Sequence, residues 1–314
     1  MDKGLAPITD YGFLPADIRA FIAESDAALP PGAAALGVAE QRALYDRMCA
    51  LFDAPLPAGM AVADRLIAGV PCRAYRPQGV VTGGPVVVYF HGGGFVVGGL
   101  ESHHAICADL AQAAGLPLVA VDYRLAPEHR HPAAFDDAMA VARALLAEGP
   151  VLLAGDSAGG NLAAAVAAHL PGKDGQKAGQ VLGQVLIYPG LGGDMSLPSY
   201  TRHAQAPMLS REDVALYAAV RFAEGQTGAD DPSAAPLAAA DFGALPPTAI
   251  FTAACDPLAS DGVEYAARLA GAGVPVTLTE EPGLVHGYLR ARHRAEAARV
   301  SFARIAAALR GLAG

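Results

Sequence analysis

Val151-Leu152-Leu153-Ala154-Gly155-Asp156-Ser157-Ala158-Gly159 opens as an unbroken apolar run and closes in a turn of small residues. The helical pattern Asn161 to Leu170 follows at once. A strand that turns this sharply into a helix leaves no room for side chains two residues either side of Ser157. Glycine at 155 and 159 meets that demand. The turn then pushes the serine hydroxyl out above the sheet, where a substrate carbonyl can reach it. A G-x-S-x-G pattern alone carries a false-positive risk. The strand before it and the helix after it lower that risk, and other parts of the chain decide the matter.

Working outward, short apolar runs alternate with helical patterns. Pro85 to Phe90 is β-branched and continuous, as a strand buried on both faces is. Gly69 to Tyr75, Leu118 to Tyr123, Val181 to Tyr188, Thr248 to Thr252 and Val274 to Thr279 also read as strands. Helical patterns cover Ala105 to Ala114, Ala133 to Glu148, Gly262 to Ala270 and Ala295 to Leu309. This alternation predicts an α/β fold, a doubly wound, mostly parallel sheet with helices on both faces.

Two regions break the pattern. Residues 1–58 are helical, Ala-rich and strandless; residues 190–235 begin with a Gly-rich turn and carry one helix, Glu212 to Phe222. The core is then 59–189 together with 236–314. Both strandless regions are candidates for a lid over the carboxyl edge of the sheet, where open α/β sheets bind ligands. Peripheral packing helices are the alternative.

Of the 314 residues 53% are hydrophobic and 17% charged, enough to bury a substantial core. A formal charge of −9 argues against a nucleic-acid surface and offers no basic face to an anionic membrane. No apolar stretch reaches transmembrane length, and Met1 to Pro7 contains no apolar signal core. Cys49, Cys72, Cys107 and Cys255 lack C-x-x-C spacing and read as buried thiols. A cytoplasmic protein, with neither nucleic acid nor membrane as partner, is expected.

His91-Gly92-Gly93-Gly94-Phe95 follows the strand ending at Phe90. Three glycines there open the backbone to close approach. The N–H groups of Gly92, Gly93 and Gly94, with that of Ala158, can converge on a ligand oxygen as an oxyanion hole. A phosphate loop is the alternative, but neither G-x-G-x-x-G nor G-x-x-x-x-G-K-[ST] is matched at this strand.

A serine hydroxyl needs a base, and the base needs an acid. His286 falls just after the last strand and Asp256 ends the strand before it, in the chain order Ser157, Asp256, His286. Asp261 is the rival acid, one turn further on and able to cap the helix from Gly262. Among other histidines, His91 reads as structural, His129 and His131 lie in a Pro-flanked loop, and His103 and His104 start a helix. Adjacent helical residues do not face one ligand, so a metal site at His103/His104 is not expected.

Taken together, these segments resemble the hormone-sensitive-lipase-like (bacterial family IV) carboxylesterases over about residues 70–290. His91 to Phe95 is similar to that family's oxyanion motif. Asp122-Tyr123-Arg124-Leu125-Ala126-Pro127-Glu128-His129 is similar to its D-Y-R-L-A-P-E-H segment, and Gly155 to Asn161 to its G-D-S-A-G-G-N elbow. Leu245-Pro246-Pro247 with Asp256-Pro257-Leu258 resembles the approach to its acid, and His286-Gly287-Tyr288 its histidine site. Two departures stand out: Ser260 occupies a place that commonly holds an acid, and Phe95 rather than Trp follows the glycines.

The resemblance implies an α/β-hydrolase core with a helical cap built from the two strandless regions. It implies a cofactor-free, metal-free serine esterase for short- to medium-chain acyl esters, with Phe95 against the substrate. It also implies a homodimer through the sheet edge Val274 to Thr279. Deacetylases, lactonases and amidases use the same triad, and a non-catalytic small-ligand binder is a further alternative.

Overall fold

The computed structural model describes residues 6–30, 33, 36–80, 83–170 and 180–314. Two helices come first, α1 (Ala16–Ala27) and α2 (Val38–Ala50), then a hairpin of β1 (Ala61–Ile67) and β2 (Val70–Arg76). There follow β3 (Val86–Phe90), α3 (His104–Ala114), β4 (Leu118–Val121), α4 (Ala133–Glu148), β5 (Val151–Asp156) and α5 (Ala158–His169). Next are β6 (Val181–Ile187), the short α6 (Pro198–Arg202), α7 (Arg211–Arg221), β7 (Thr248–Cys255), α8 (Ala259–Gly271), β8 (Val276–Val285) and α9 (Glu296–Ala313).

The strands form one sheet in the order β1-β2-β4-β3-β5-β6-β7-β8, with β8 at an edge. Only the pairs β1/β2 and β2/β4 are antiparallel. From β4 to β8 the sheet is parallel. Side chains alternate across it. Val87 and Tyr89 of β3 join a core formed with α1, α3 and α9, while Val88 and Phe90 join the core on the other face, formed with α4, α5 and α8. Each fully buried Val, Leu or Phe in these layers contributes about 1.5–3 kcal/mol. Every residue of β5 is buried, which is why its run is uninterrupted by polar side chains before Asp156.

Helix α5 is buried from Ala158 to Ala167. Its Ala- and Gly-rich sequence is the steric consequence: Gly160, for instance, has Pro189 where a Cβ would come within 2.8 Å. All four cysteines are buried and free. Among the described residues no helix is long and apolar enough to cross a membrane.

Three details differ from the expectations. Strand β1 was not anticipated; most of its residues face solvent, so it lacks the apolar signature of the others. Helix α8 starts at Ala259, so Asp261 lies within its first turn and does not cap it. Strand β8 runs on to Val285, so His286 follows directly from the sheet.

Candidate active site

Ser157, Asp256 and His286 each stand one residue past the carboxyl end of β5, β7 and β8, and His91 does the same after β3. The sheet therefore brings together residues 129 apart in the chain. At the elbow, Ser157 has φ 54° and ψ −117°, a conformation costing a non-glycine residue about 1–3 kcal/mol. Its N–H donates to the carbonyl of Ile187 at 2.9 Å. A Cβ on Gly155 would lie 2.3 Å from the carbonyl oxygen of Gly159, and one on Gly159 would lie 1.9 Å from that of Phe90. The glycine requirement at both positions is thus backbone against backbone.

Ser157 Oγ donates to Nε2 of His286 at 2.9 Å. Nδ1–H of His286 donates to Oδ2 of Asp256 at 2.7 Å. The carboxylate can only accept, which fixes the tautomer and leaves Nε2 as the acceptor facing the serine. Asp256 is fully buried, and its Oδ1 accepts from the Leu258 N–H at 2.9 Å. The rival Asp261 does not reach His286. Its Oδ2 accepts from the N–H groups of Leu191 (2.7 Å) and Gly193 (3.1 Å), and its Oδ1 from Tyr200 Oη–H (3.0 Å). Burial pushes the Asp261 carboxyl up to about 6, against the pull of those three donors. Ser260, at the departure noted above, exchanges hydrogen bonds with Ser199 at 3.1 and 3.0 Å.

The glycine loop is held in an unusual shape. Gly93, Gly94 and Phe95 have φ of 124°, 62° and 65°, and a Cβ on Gly93 would meet the carbonyl oxygen of Val97 at 2.1 Å. The N–H groups of Gly93 and Gly94 have no partner among the described residues. That of Ala158, first in α5, is one of the orphan donors of a helix start. Gly92 does not belong with them. Its N–H donates to Oδ1 of Asp156 at 3.0 Å, so the expected fourth oxyanion donor is already engaged.

His91 turns the loop, as expected. Its Nδ1–H donates to the Gly92 carbonyl at 2.8 Å, and its ring stacks on Tyr123 with centroids 4.2 Å apart. Burial lowers its pKa to about 3, so it stays neutral. Tyr123 in turn donates to the His91 carbonyl at 2.7 Å. His103 is buried between Ser102 Oγ (2.9 Å) and the Arg290 guanidinium (3.3 Å). His104 meets Tyr75 and Arg73, His131 meets Asp231, and His129 is exposed. Among the described residues no group of three or more His, Cys, Asp or Glu side chains is placed to hold a metal ion.

Asp156 is a site residue that the sequence reading left without a role. Besides Gly92 it accepts from Tyr89 Oη–H at 2.7 Å and Tyr188 Oη–H at 3.3 Å. Burial opposes its ionisation, but His103, the Tyr89 hydrogen bond and the Arg290 charge outweigh burial and hold its carboxyl well below the usual range. The only available signal was its position next to Ser157.

A cavity of about 1210 Å³ opens above these groups. Its floor includes Gly93, Gly94, Phe95, Ser157, Ala158 and His286; Leu44, Tyr45 and Met48 of α2 and Val214, Tyr217 and Arg221 of α7 form walls.

A sequence profile of the α/β-hydrolase fold matches residues 87–290. The carboxylesterase NlhH of Mycobacterium tuberculosis is 42% identical over 231 residues, 70% of this chain and 71% of that protein. The ethyl acetate hydrolase of Pseudomonas putida is 36% identical over 70% of this chain and 72% of its own length. Among solved structures, a hyperthermophilic esterase from the archaeon Pyrobaculum calidifontis superposes with a TM-score of 0.85 at 32% identity, over 96% of this chain and 99% of that one. The chain belongs to the α/β-hydrolase family, among its hormone-sensitive-lipase-like carboxylic ester hydrolases.

Proposed function

We propose that this chain hydrolyses short- to medium-chain acyl esters through an acyl-enzyme on Ser157. The unbroken relay from Ser157 Oγ through His286 to Asp256, at 2.9 and 2.7 Å, carries the reading. Ser157 Oγ attacks the ester carbonyl carbon while its proton passes to His286 Nε2. The carbonyl oxygen, now an oxyanion, takes hydrogen bonds from the N–H groups of Gly93, Gly94 and Ala158. Asp256 stabilises the imidazolium. Collapse of the intermediate breaks the bond to the alcohol oxygen, which leaves with the proton from His286. Water then repeats the sequence, frees the carboxylic acid and returns the proton to Ser157. Residues 1–58 and 190–235 act as the cap, with α2 and α7 bounding the cavity that receives the substrate, and Phe95 beside it.

Hydrolysis of p-nitrophenyl esters from acetate to palmitate, with Ser157→Ala alongside, tests this. The expected result is a maximum at short chains that disappears in the variant. Full activity in folded Ser157→Ala would move the nucleophile elsewhere, and a palmitate optimum would overturn the chain-length reading.

A further inference from the structure

We propose that helix α7 holds the oxyanion loop in its working shape, with Tyr217 and Arg221 as positioning residues for the Gly93 and Gly94 N–H groups. The inference rests on the reading of those groups as oxyanion donors, and it makes α7 more than a wall of the cavity.

Tyr217 and Arg221 are four residues apart on α7 and so share one face. The Tyr217 ring lies directly on the loop: a Cβ on Gly94 would be 2.4 Å from it. The Arg221 guanidinium lies over the next residue, 3.6 Å from the centroid of the Phe95 ring. Gly94 and Phe95 both have positive φ. For Phe95 that conformation is strained, and it persists only where the surroundings over-determine it. On the core side Tyr123 stands 6.4 Å from Phe95, ring to ring. On the outer side α7 supplies the constraint.

Arg221 is anchored on both sides of that contact. It donates to the Ala234 carbonyl at 3.1 Å and to Oδ1 of Asn161 at 3.3 Å. Asn161 lies one turn beyond Ser157 on α5. One side chain thus bridges α7, the oxyanion loop and the elbow helix. Burial draws the Arg221 pKa down to about 9, as befits a cation held in the interior by neutral acceptors and a ring face.

Helix α7 is otherwise thinly held, since Arg221 alone among its 11 residues is buried. Tyr217 and Val220 pack on Val96, Val97 and Ala126 just beyond the donors, and Val214 and Tyr217 on Tyr200, Leu209 and Leu258, so part of its docking is shared with the loop. Next to α7, Arg42 of α2 donates to the carbonyls of Val96 (2.8 Å) and Ala126 (3.0 Å), and both helices pack on the cluster of Val96, Val97 and Ala126. Both strandless regions grip the loop that carries the donors.

If α7 only bounds the cavity, its variants alter KM. If it sets the oxyanion donors, they alter kcat, and do so through the carbonyl oxygen. The test is steady-state hydrolysis of p-nitrophenyl butyrate and its thionoester by Tyr217→Ala, Tyr217→Phe and Arg221→Met. Thiocarbonyl sulfur accepts hydrogen bonds poorly, so the thionoester reports the relay with little help from the hole.

The expected result for Tyr217→Ala and Arg221→Met is a ~10- to 100-fold loss of kcat on the ester. KM should stay within about threefold, and the thionoester rate should fall less, compressing the ester-to-thionoester ratio. Tyr217→Phe should recover most of the loss. A change confined to KM, or an equal fall on both substrates, overturns the inference. Retained hydrolysis in Ser157→Ala would instead overturn the reading of the site itself, and this inference with it.

Discussion

The N–H of Gly92 points at Oδ1 of Asp156, 3.0 Å away. The residue before Ser157 therefore braces the strand end that bears the glycine loop. The same carboxylate binds Tyr188, whose ring meets that of His286 edge-on at 4.8 Å. One buried charge thus supports both the loop and the imidazole.

Asp156→Asn should reduce kcat at least ~10-fold while leaving KM nearly unchanged, because an amide must turn an N–H toward one of several donors. Asp156→Ala should also lower stability by about 1–3 kcal/mol for each donor left unsatisfied. The sign with pH follows from the depressed carboxyl. Its contribution is present above the unfolded pKa, near 4, and is lost as pH falls through the lower folded value. Thermal melts at pH 5 and pH 3 should show a smaller acid loss in Asp156→Asn than in the parent.

Asp261 behaves in the opposite way. Its pKa of about 6 lies above the unfolded value, so its contribution is full below pH ~4 and is lost as pH rises through about 6. Asp261→Asn, which keeps an acceptor for Leu191 and Gly193, should flatten the change in melting temperature between pH 5 and 7.5. Asp261→Ala should destabilise by about 1–3 kcal/mol at both pH values, since those N–H groups lose their partner. An unchanged pH slope in Asp261→Asn would count against the raised pKa.

Asp256→Asn should leave the fold intact and cut kcat by roughly 10³–10⁴, as expected when an imidazole loses the carboxylate that fixes its tautomer. Steady-state kinetics on a short p-nitrophenyl ester would check this; a loss below tenfold would argue for a different acid.

Gly159→Ala should be destabilising by roughly 3 kcal/mol or should prevent folding, because the new methyl would sit 1.9 Å from a backbone oxygen of β3. Gly271→Ala, with nothing within 4 Å, should be neutral or stabilise by up to about 1 kcal/mol. Urea unfolding of the two variants gives the comparison.

What could be read in advance followed from local rules. Continuous apolar runs such as Val86 to Phe90 mark strands buried on both faces, and the elbow glycines declare a close backbone crossing. Ser157, Asp256 and His286 stood out by their chain order and their places near strand ends, whereas the run of β8 on to Val285, which brings His286 to the end of the sheet, had no such signal. The outward-facing β1 carries no such pattern. That Gly92 stands apart from Gly93 and Gly94 follows from its N–H engaging Asp156, a contact that no local pattern of glycines records. The contacts of Tyr217 and Arg221 with Gly94 and Phe95 depend on how a polar helix docks across a separation of 123 or more positions in the chain, which no local period records.

The backbone of Ser157, at φ 54°, has a final consequence. Glycine would adopt that conformation freely, and relief of about 1–3 kcal/mol of strain exceeds the roughly 0.5–1 kcal/mol of added chain entropy. A chain shaped only to remain folded would carry glycine at 157. Ser157→Gly should therefore melt above the parent while losing hydrolysis. At residue 157 durability and the proposed reactivity pull against each other.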